Sequence, residues 1–209
     1  RQCPNLDLHT WYLDDGSLLG SPSDLLKALK IIQTEGPKYG LHVNLDKCVV
    51  WWPKARSFDN FPPSIKRAPV DGIKLLGAPI GTRIFCEKFI CKKTAKLARL
   101  HGLLLELDDS QIEMCLLRGC LAVCKVNYFL RTIPPEDIPN SLDMLKDTLA
   151  KTVAQIARSA CLSPLEWKQA SLPTKLGGLG ISDPEDIAPA AFVGSWLLVE
   201  ELVSKLTEK

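Results

Sequence analysis

Leu8-His9-Thr10-Trp11-Tyr12-Leu13-Asp14-Asp15-Gly16-Ser17-Leu18-Leu19 reads as two short β segments joined by a turn. Residues 8–13 are β-prone, Asp15-Gly16 is a hairpin-turn signal, and Ser17-Leu18-Leu19 can return as the partner strand. Two adjacent carboxylates, Asp14 and Asp15, then stand at the tip of an apolar hairpin, where they repel each other and are costly to desolvate. Such a pair wants open water or a cation. Hard divalent ions such as Mg²⁺ take one or two carboxylates together with phosphate oxygens, the donor set of two-metal phosphoryl transfer. The plain alternative is a solvated Asp-Gly turn, and the dipeptide alone does not separate the two.

Outward from the hairpin, Ser21-Pro22-Ser23-Asp24 has the order of a helix start, with Ser21 as cap, Pro22 in first position and Asp24 three residues after the cap. Leu25, Leu26, Leu29 and Ile32 recur on one face, and the helix is expected to end near Gly36-Pro37 or at Gly40. Leu41-His42-Val43 and Cys48-Val49-Val50-Trp51-Trp52 read as further strands, separated by the polar Asn44-Leu45-Asp46-Lys47. A loop around Phe61-Pro62-Pro63 follows. β character resumes from Ile73 to Ile80, bent at Gly77 and Pro79.

From about Phe85 the hydrophobic period changes from two to nearly four, which places a boundary between residues 1–84 and 85–209 and gives an α+β fold class. In the first helix of the second part, Ile90, Leu97, Leu100, Leu104 and Leu107 fall on one side, whereas Lys88, Lys92, Lys96 and Arg99 stack on another. A solvated face is the plain reading of that cationic stripe. Ser110 and Glu113 predict a capping box for a second helix, apolar nearly all round from Met114 to Phe129 and expected at the centre of the bundle, with Pro134-Pro135 as its stop. A third helix starts at Asn140 or Ser141 and carries the stripe Leu142, Leu145, Leu149, Val153 and Ile156. Residues from Trp167 to Ile181 are expected to be mostly loop, and a last helix runs from Asp186 to Leu206. The string Gly177-Gly178-Leu179-Gly180 reads as a turn, because no Lys-Ser or Lys-Thr follows it and no strand leads directly into it.

A chain of 209 residues that is 46% hydrophobic and 24% charged can bury the core of one domain or of two small ones, which excludes general disorder. The formal net charge of +2 does not by itself indicate nucleic acid, so any basic surface must be local. Eight cysteines are scattered through apolar stretches, as with Cys48 before Val49, or Cys120 and Cys124 around Leu121-Ala122-Val123, and no two are spaced as C-x-x-C. That pattern favours buried thiols over a zinc site or a disulfide framework, and with it a reducing, intracellular compartment, cytoplasmic or nuclear. Arg1-Gln2-Cys3-Pro4 lacks the order of a signal peptide, and the chain is expected to be cut from a longer one. The weakly charged run Ala188–Val199 contains Pro189 and Gly194 and meets Glu200-Glu201 well short of the ~20 apolar residues that span a bilayer, so no membrane anchor is expected.

Four strings carry a resemblance. Trp11-Tyr12-Leu13-Asp14-Asp15-Gly16 is followed by the Ser21-capped helix, then by Gly40-Leu41-His42-Val43-Asn44 with Lys47. Leu75-Leu76-Gly77-Ala78-Pro79-Ile80-Gly81 comes next, and Leu172-Pro173 with Gly177-Gly178-Leu179-Gly180-Ile181 comes last. In this order they resemble the C-terminal part of a reverse transcriptase of the non-LTR retrotransposon type, over most of the chain. The resemblance implies a small antiparallel β palm fragment with a packed helix in residues 1–84 and a mostly α-helical, thumb-like region in 85–209. It implies RNA-directed DNA synthesis by two-metal nucleotidyl transfer, with Mg²⁺ as cofactor and with RNA template, DNA primer and deoxynucleoside triphosphates as partners. Asp14 matches the aspartate that binds the catalytic metals and Asp15 its supporting neighbour. Lys47 matches a lysine that donates a proton to departing pyrophosphate, against the plain reading of a surface lysine at a strand start. Leu76, Gly77 and Ala78 match the primer grip, and Lys88, Lys92, Lys96 and Arg99 fall where the family tracks duplex phosphates.

One turn cannot enclose two metal ions, so a second carboxylate-bearing strand is needed. Asp7 is too close to Asp14 to lie on a separate neighbouring strand, and Asp46, Asp59 and Asp71 sit in loop-like contexts. The upstream metal-binding aspartate and the fingers are not found in these residues, and the chain is expected to be inactive alone. A noncatalytic nucleic-acid-binding or interaction module derived from a retroelement remains open. So does an unrelated Mg²⁺-dependent phosphoryl-transfer domain.

Overall fold

Local sequence signals fix most of the elements in the computed structural model, which describes residues 5–54 and 59–207. The segment Arg1-Gln2-Cys3-Pro4, considered for a leader, lies outside the described residues. The architecture is α+β: three two-stranded ladders precede a run of helices. The chain divides into two compact units, Arg1–Val70 with Lys205–Lys209, and Asp71–Ser204. This division falls earlier than the change in hydrophobic period near residue 85, because a hairpin at 72–81 packs on the first long helix that follows it.

In the first unit, β1 (Leu8–Tyr12) and β2 (Asp15–Leu19) pair antiparallel from Leu8 opposite Leu19 to Tyr12 opposite Asp15. The turn is therefore Leu13-Asp14, with Leu13 at φ 56, and the expectation of an Asp15-Gly16 turn is corrected by two residues. The register has a steric reason. Trp11 faces Gly16, and a Cβ there would stand 2.7 Å from the indole Cζ3, so the glycine serves the ladder as a seat for the ring.

α1 (Pro22–Glu35) begins as expected: the Ser21 side chain accepts from the Asp24 amide, Pro22 opens the helix, and a short 3₁₀ segment closes at Gly40 with φ 78. Leu25, Leu26 and Leu29 pack on a small core of Val50, Phe61 and Ile65. Residues 41–43 are not a strand, and the second expected strand shrinks to β3 (Val49–Val50), paired parallel with β4 (Lys66–Arg67). The Arg67 guanidinium fixes the proline-rich loop, donating to both Asp59 carboxylate oxygens at 3.1 and 2.9 Å and to the carbonyls of Phe61, Pro62 and Ile65.

The second unit opens with β5 (Gly72–Leu75) and β6 (Ala78–Gly81), an antiparallel hairpin whose turn residues Leu76 and Gly77 both have positive φ, 45 and 92, the pattern of a type I′ turn. α2 (Arg83–Leu104) follows, capped by Thr82. Its buried face is Cys86, Ile90, Thr94, Leu97, His101 and Leu104. Leu100 and Leu107, expected on that face, are exposed, because the helix tightens to 3₁₀ at 105–107 and Leu100 sits on the flank. The core face pairs with α5 (Pro139–Ile156), whose Leu142, Leu145, Leu149, Val153 and Ile156 are all buried as the stripe predicts.

The segment between α2 and α5 departs most from expectation. It is a short α3 (Ser110–Leu116), a π-helical turn (Leu117–Leu121), a 3₁₀ turn and α4 (Asn127–Leu130). Asp109, not Ser110, caps α3, accepting from the Gln111 and Ile112 amides at 3.0 Å, while the Ser110 hydroxyl donates to the Ile156 carbonyl. Cys115, Cys120 and Cys124 are exposed, as is Cys161, so the expectation of core thiols holds only for Cys86 among the fully buried positions. His101 ties this irregular stretch to the bundle. Its Nε2 lies 2.7 Å from the Leu121 carbonyl and its Nδ1 lies 2.8 Å from the Thr152 hydroxyl, and burial lowers its pKa against the pull of that carbonyl.

Part of the stretch expected as loop is helical: α6 (Pro164–Ser171) carries a capping box between Ser163 and Glu166. α7 (Pro184–Thr207) covers the last helix expected from Asp186 to Leu206, and from Pro184 to Leu206 its length and composition alone match those of a membrane-crossing helix.

Candidate functional site

The hairpin tip places Asp14 and Asp15 in solvent, and neither side chain has an ion pair or hydrogen bond among the described residues. Trp11, Tyr12 and Leu13 are exposed beside them, Leu13 at 86%. A non-glycine residue with positive φ is strained by about 1–2 kcal/mol, and this one sits directly before the two carboxylates. The tip is an acidic point on an apolar, two-edged ribbon.

For Mg²⁺, Asp14 and Asp15 supply the one or two carboxylates such an ion takes from protein. Among the described residues no group of three or more His, Cys, Asp or Glu is placed to hold a metal. The donor set fits one side of a metal site and not a two-metal centre. Asp59 is engaged by Arg67, which donates to both of its carboxylate oxygens.

Lys47 ends a tight turn rather than leading a long strand. The Asn44 Oδ1 accepts from the Asp46 and Lys47 amides at 3.1 and 3.3 Å, so the asparagine of the second string organises the backbone that presents the lysine. Leu45 and Cys48, on either side, pack on the small core. The Lys47 side chain is exposed.

Leu76, Gly77 and Ala78 lie at the turn of the β5–β6 hairpin, with Leu76 exposed and Ala78 buried. The turn is pinned from a distance: the Tyr128 hydroxyl donates to the Leu76 carbonyl at 2.7 Å. Nothing in the local sequence signals that bond.

Lys88, Lys92, Lys96 and Arg99 are all exposed and lie on the side of α2 away from its buried residues. None has an ion pair or hydrogen bond among the described residues. At 1.5 Å per residue the stripe extends over roughly 16 Å of helix. Lys93 belongs to a different face. Its Nζ stands 5.3 Å from both the Phe89 and the Phe129 ring centroids, so its charge is directed at aromatic faces and its position braces α2 against α4. The Lys88 end of the stripe borders a cleft also lined by Arg83 and Glu87. Glu87 is committed there, accepting from the Asn140 amide at 3.0 Å and from the Ser141 hydroxyl.

The structure thus brings together the members of the cationic stripe on one helix face, and Asp14 with Asp15 on one turn. Comparison of the chain with family models, with curated proteins and with solved structures found no match.

Proposed function

We propose that this chain is a nucleic-acid-holding part of a reverse-transcriptase-like polymerase, inactive alone, that grips the phosphate backbone of a template–primer duplex through α2. One observation carries this reading: four exposed cations, none paired among the described residues, repeat on one face of a single helix whose opposite face is core. A stripe of that kind contributes affinity without sequence preference, through release of counterions from the duplex. The acidic hairpin tip supports the polymerase side of the proposal. Asp14 would be a metal ligand, Asp15 its neighbour and Lys47 a candidate proton donor, in a centre completed by carboxylates that these residues do not supply.

The test is binding of a labelled RNA–DNA duplex over a range of salt. Lys88→Ala, Lys92→Ala and Lys96→Ala combined should lower the slope of log affinity against log salt by up to about 3, at roughly 0.9 for each phosphate no longer neutralised. An unchanged slope would remove α2 from the interface. A second reading, a noncatalytic binding module derived from a retroelement, is favoured by the lack of a third metal-binding side chain near the tip among the described residues. In a polypeptide that extends primers, Asp14→Asn should abolish extension and leave duplex binding unchanged. Retained extension would favour the module.

A further inference from the structure

The glycine-rich string 177–180 has no part in a duplex grip through α2. It closes one wall of an open cleft of about 430 Å³ lined by Arg118, Ser171, Pro173, Thr174, Gly180 and Ser182. The cleft lies wholly within the second unit.

Its walls are preorganised. The amides of Gly178, Leu179 and Gly180 donate to the carbonyls of Pro173, Ala170 and Leu172, and the Gln169 amide group donates to the Gly177 carbonyl at 2.8 Å. The loop is therefore no phosphate cradle in its own right. What faces the cleft is side-chain chemistry. Arg118 sits on the π-helical turn 117–121, a widened geometry that recurs at functional sites, and its guanidinium has no ion pair or hydrogen bond among the described residues. The same holds for the hydroxyls of Thr174 and Ser182, whereas the Ser171 hydroxyl is spent on the Lys168 carbonyl.

Gly180 keeps the floor open. Its φ is 70, and a Cβ there would crowd the Arg118 Cδ at 3.2 Å while touching the Thr174 Cγ2 at an ordinary 3.5 Å. The acidic residues next in sequence do not compete for the guanidinium. Asp183 is turned inward, accepting from the Trp167 Nε1 at 2.5 Å and the Glu185 amide at 3.0 Å, and Lys146 pairs with Glu185 at 2.6 Å.

We infer that this cleft takes one phosphodiester group of a nucleic-acid strand, with Arg118 as the charge partner and the Thr174 and Ser182 hydroxyls as additional donors. A single guanidinium matches the single charge of a diester, and planar donors suit its two free oxygens. The cleft is open to solvent, as a group carried on a longer strand requires. The inference rests on the reading of the chain as nucleic-acid-binding, yet it concerns a surface separate from the α2 stripe.

Two measurements on the full chain test it. Backbone amide shifts are followed during titration with dimethyl phosphate, with sodium sulfate at equal ionic strength as control, for the native chain and for Arg118→Gln. Shifts at Thr174, Gly180 and Ser182 that follow the diester and vanish in the variant are expected. No shifts there, or equal shifts with sulfate, would overturn the site as an adventitious anion contact. In duplex binding, Arg118→Gln should weaken affinity about 3- to 10-fold near 0.1 M salt and reduce the salt slope by about 1. Native-like affinity and slope in that variant would overturn the cleft while the α2 reading stands. Diester shifts at the cleft in a chain that binds no duplex would overturn the nucleic-acid assignment.

Discussion

The hairpins 8–19 and 72–81 are built on the same plan, two antiparallel strands joined by two residues with a leucine at positive φ, and they are held in opposite ways. The second is bound into its unit: Tyr128 fastens its turn, Ala78 and Pro79 are buried, and the Thr82 amide closes its base on the Asp71 carbonyl. The first carries Trp11, Tyr12, Leu13 and Leu19 and both carboxylates into solvent. A two-stranded ribbon is marginal in water by itself, so the second hairpin draws its rigidity from contacts within its unit, which the solvated tip of the first does not have among the described residues. Turn chemistry makes a hairpin, and distant contacts decide whether it is rigid.

Leu149→Ala gives the strongest way to test that contrast. This residue is 0% exposed in α5, and its truncation should cost the second unit about 2–5 kcal/mol. Amide exchange in 72–81 should then accelerate together with that of α2 and α5. Exchange in 72–81 that stays slow would show that the hairpin does not depend on the bundle.

Acid comes next. The pKa of His101 is lowered from its ordinary 6.5 by burial, so the unfolded state binds the proton more readily than the folded one. Its contribution to stability is whole above pH 6.5 and is lost as pH falls below that value. A urea titration series between pH 8 and pH 5, roughly bracketing that pKa, should show the second unit weakening on the acid side, with His101→Gln flattening the trend. A trend unaltered by the substitution would assign the acid sensitivity to other groups.

Tyr128→Phe removes one half-exposed hydrogen bond, worth about 0.5–1.5 kcal/mol, and should loosen residues 75–78 while leaving 12–15 untouched. Equal effects on both turns would erase the proposed difference in anchoring. Smallest of all, Asp14→Asn and Asp15→Asn should change thermal stability by no more than about 0.5 kcal/mol, since both side chains are solvated. A large loss would mean that the tip has a structural partner.

The parts legible in sequence are those where one periodicity dominates. Leu142, Leu145, Leu149, Val153 and Ile156 specify α5 because a one-sided apolar stripe has a phase, and Ser21-Pro22 specifies the start of α1 because cap and proline agree. Residues 114–129 are apolar nearly all round and have no phase, so their pattern does not reveal that the ladder widens at Leu117 and breaks at Ala122. Ser163-Pro164-Leu165-Glu166 does announce α6, and a reading of 167–181 as loop overlooks it.

The candidate site divides along the same line. The stripe Lys88, Lys92, Lys96 and Arg99 is visible from spacing alone, as is the carboxylate pair. The role of Asp59 is not, because its partner Arg67 lies beyond the proline-rich loop. Arg118 meets Thr174 and Ser182 only after more than fifty residues of intervening chain have folded, which no local pattern records.

Trp167 is one of five tryptophans, 5% exposed and with its indole N–H held by the Asp183 carboxylate, whereas Trp11 and Trp196 are more than half exposed. The helical unit therefore carries an internal optical probe. Opening of that unit brings water to the Trp167 ring and shifts its emission to longer wavelength, while the emission of Trp11 at the solvated hairpin already lies there. The same spectrum, followed during unfolding, carries little from the hairpin, and substituting the half-buried Trp51 and Trp52 of the first unit by Phe leaves a signal that reports on the bundle.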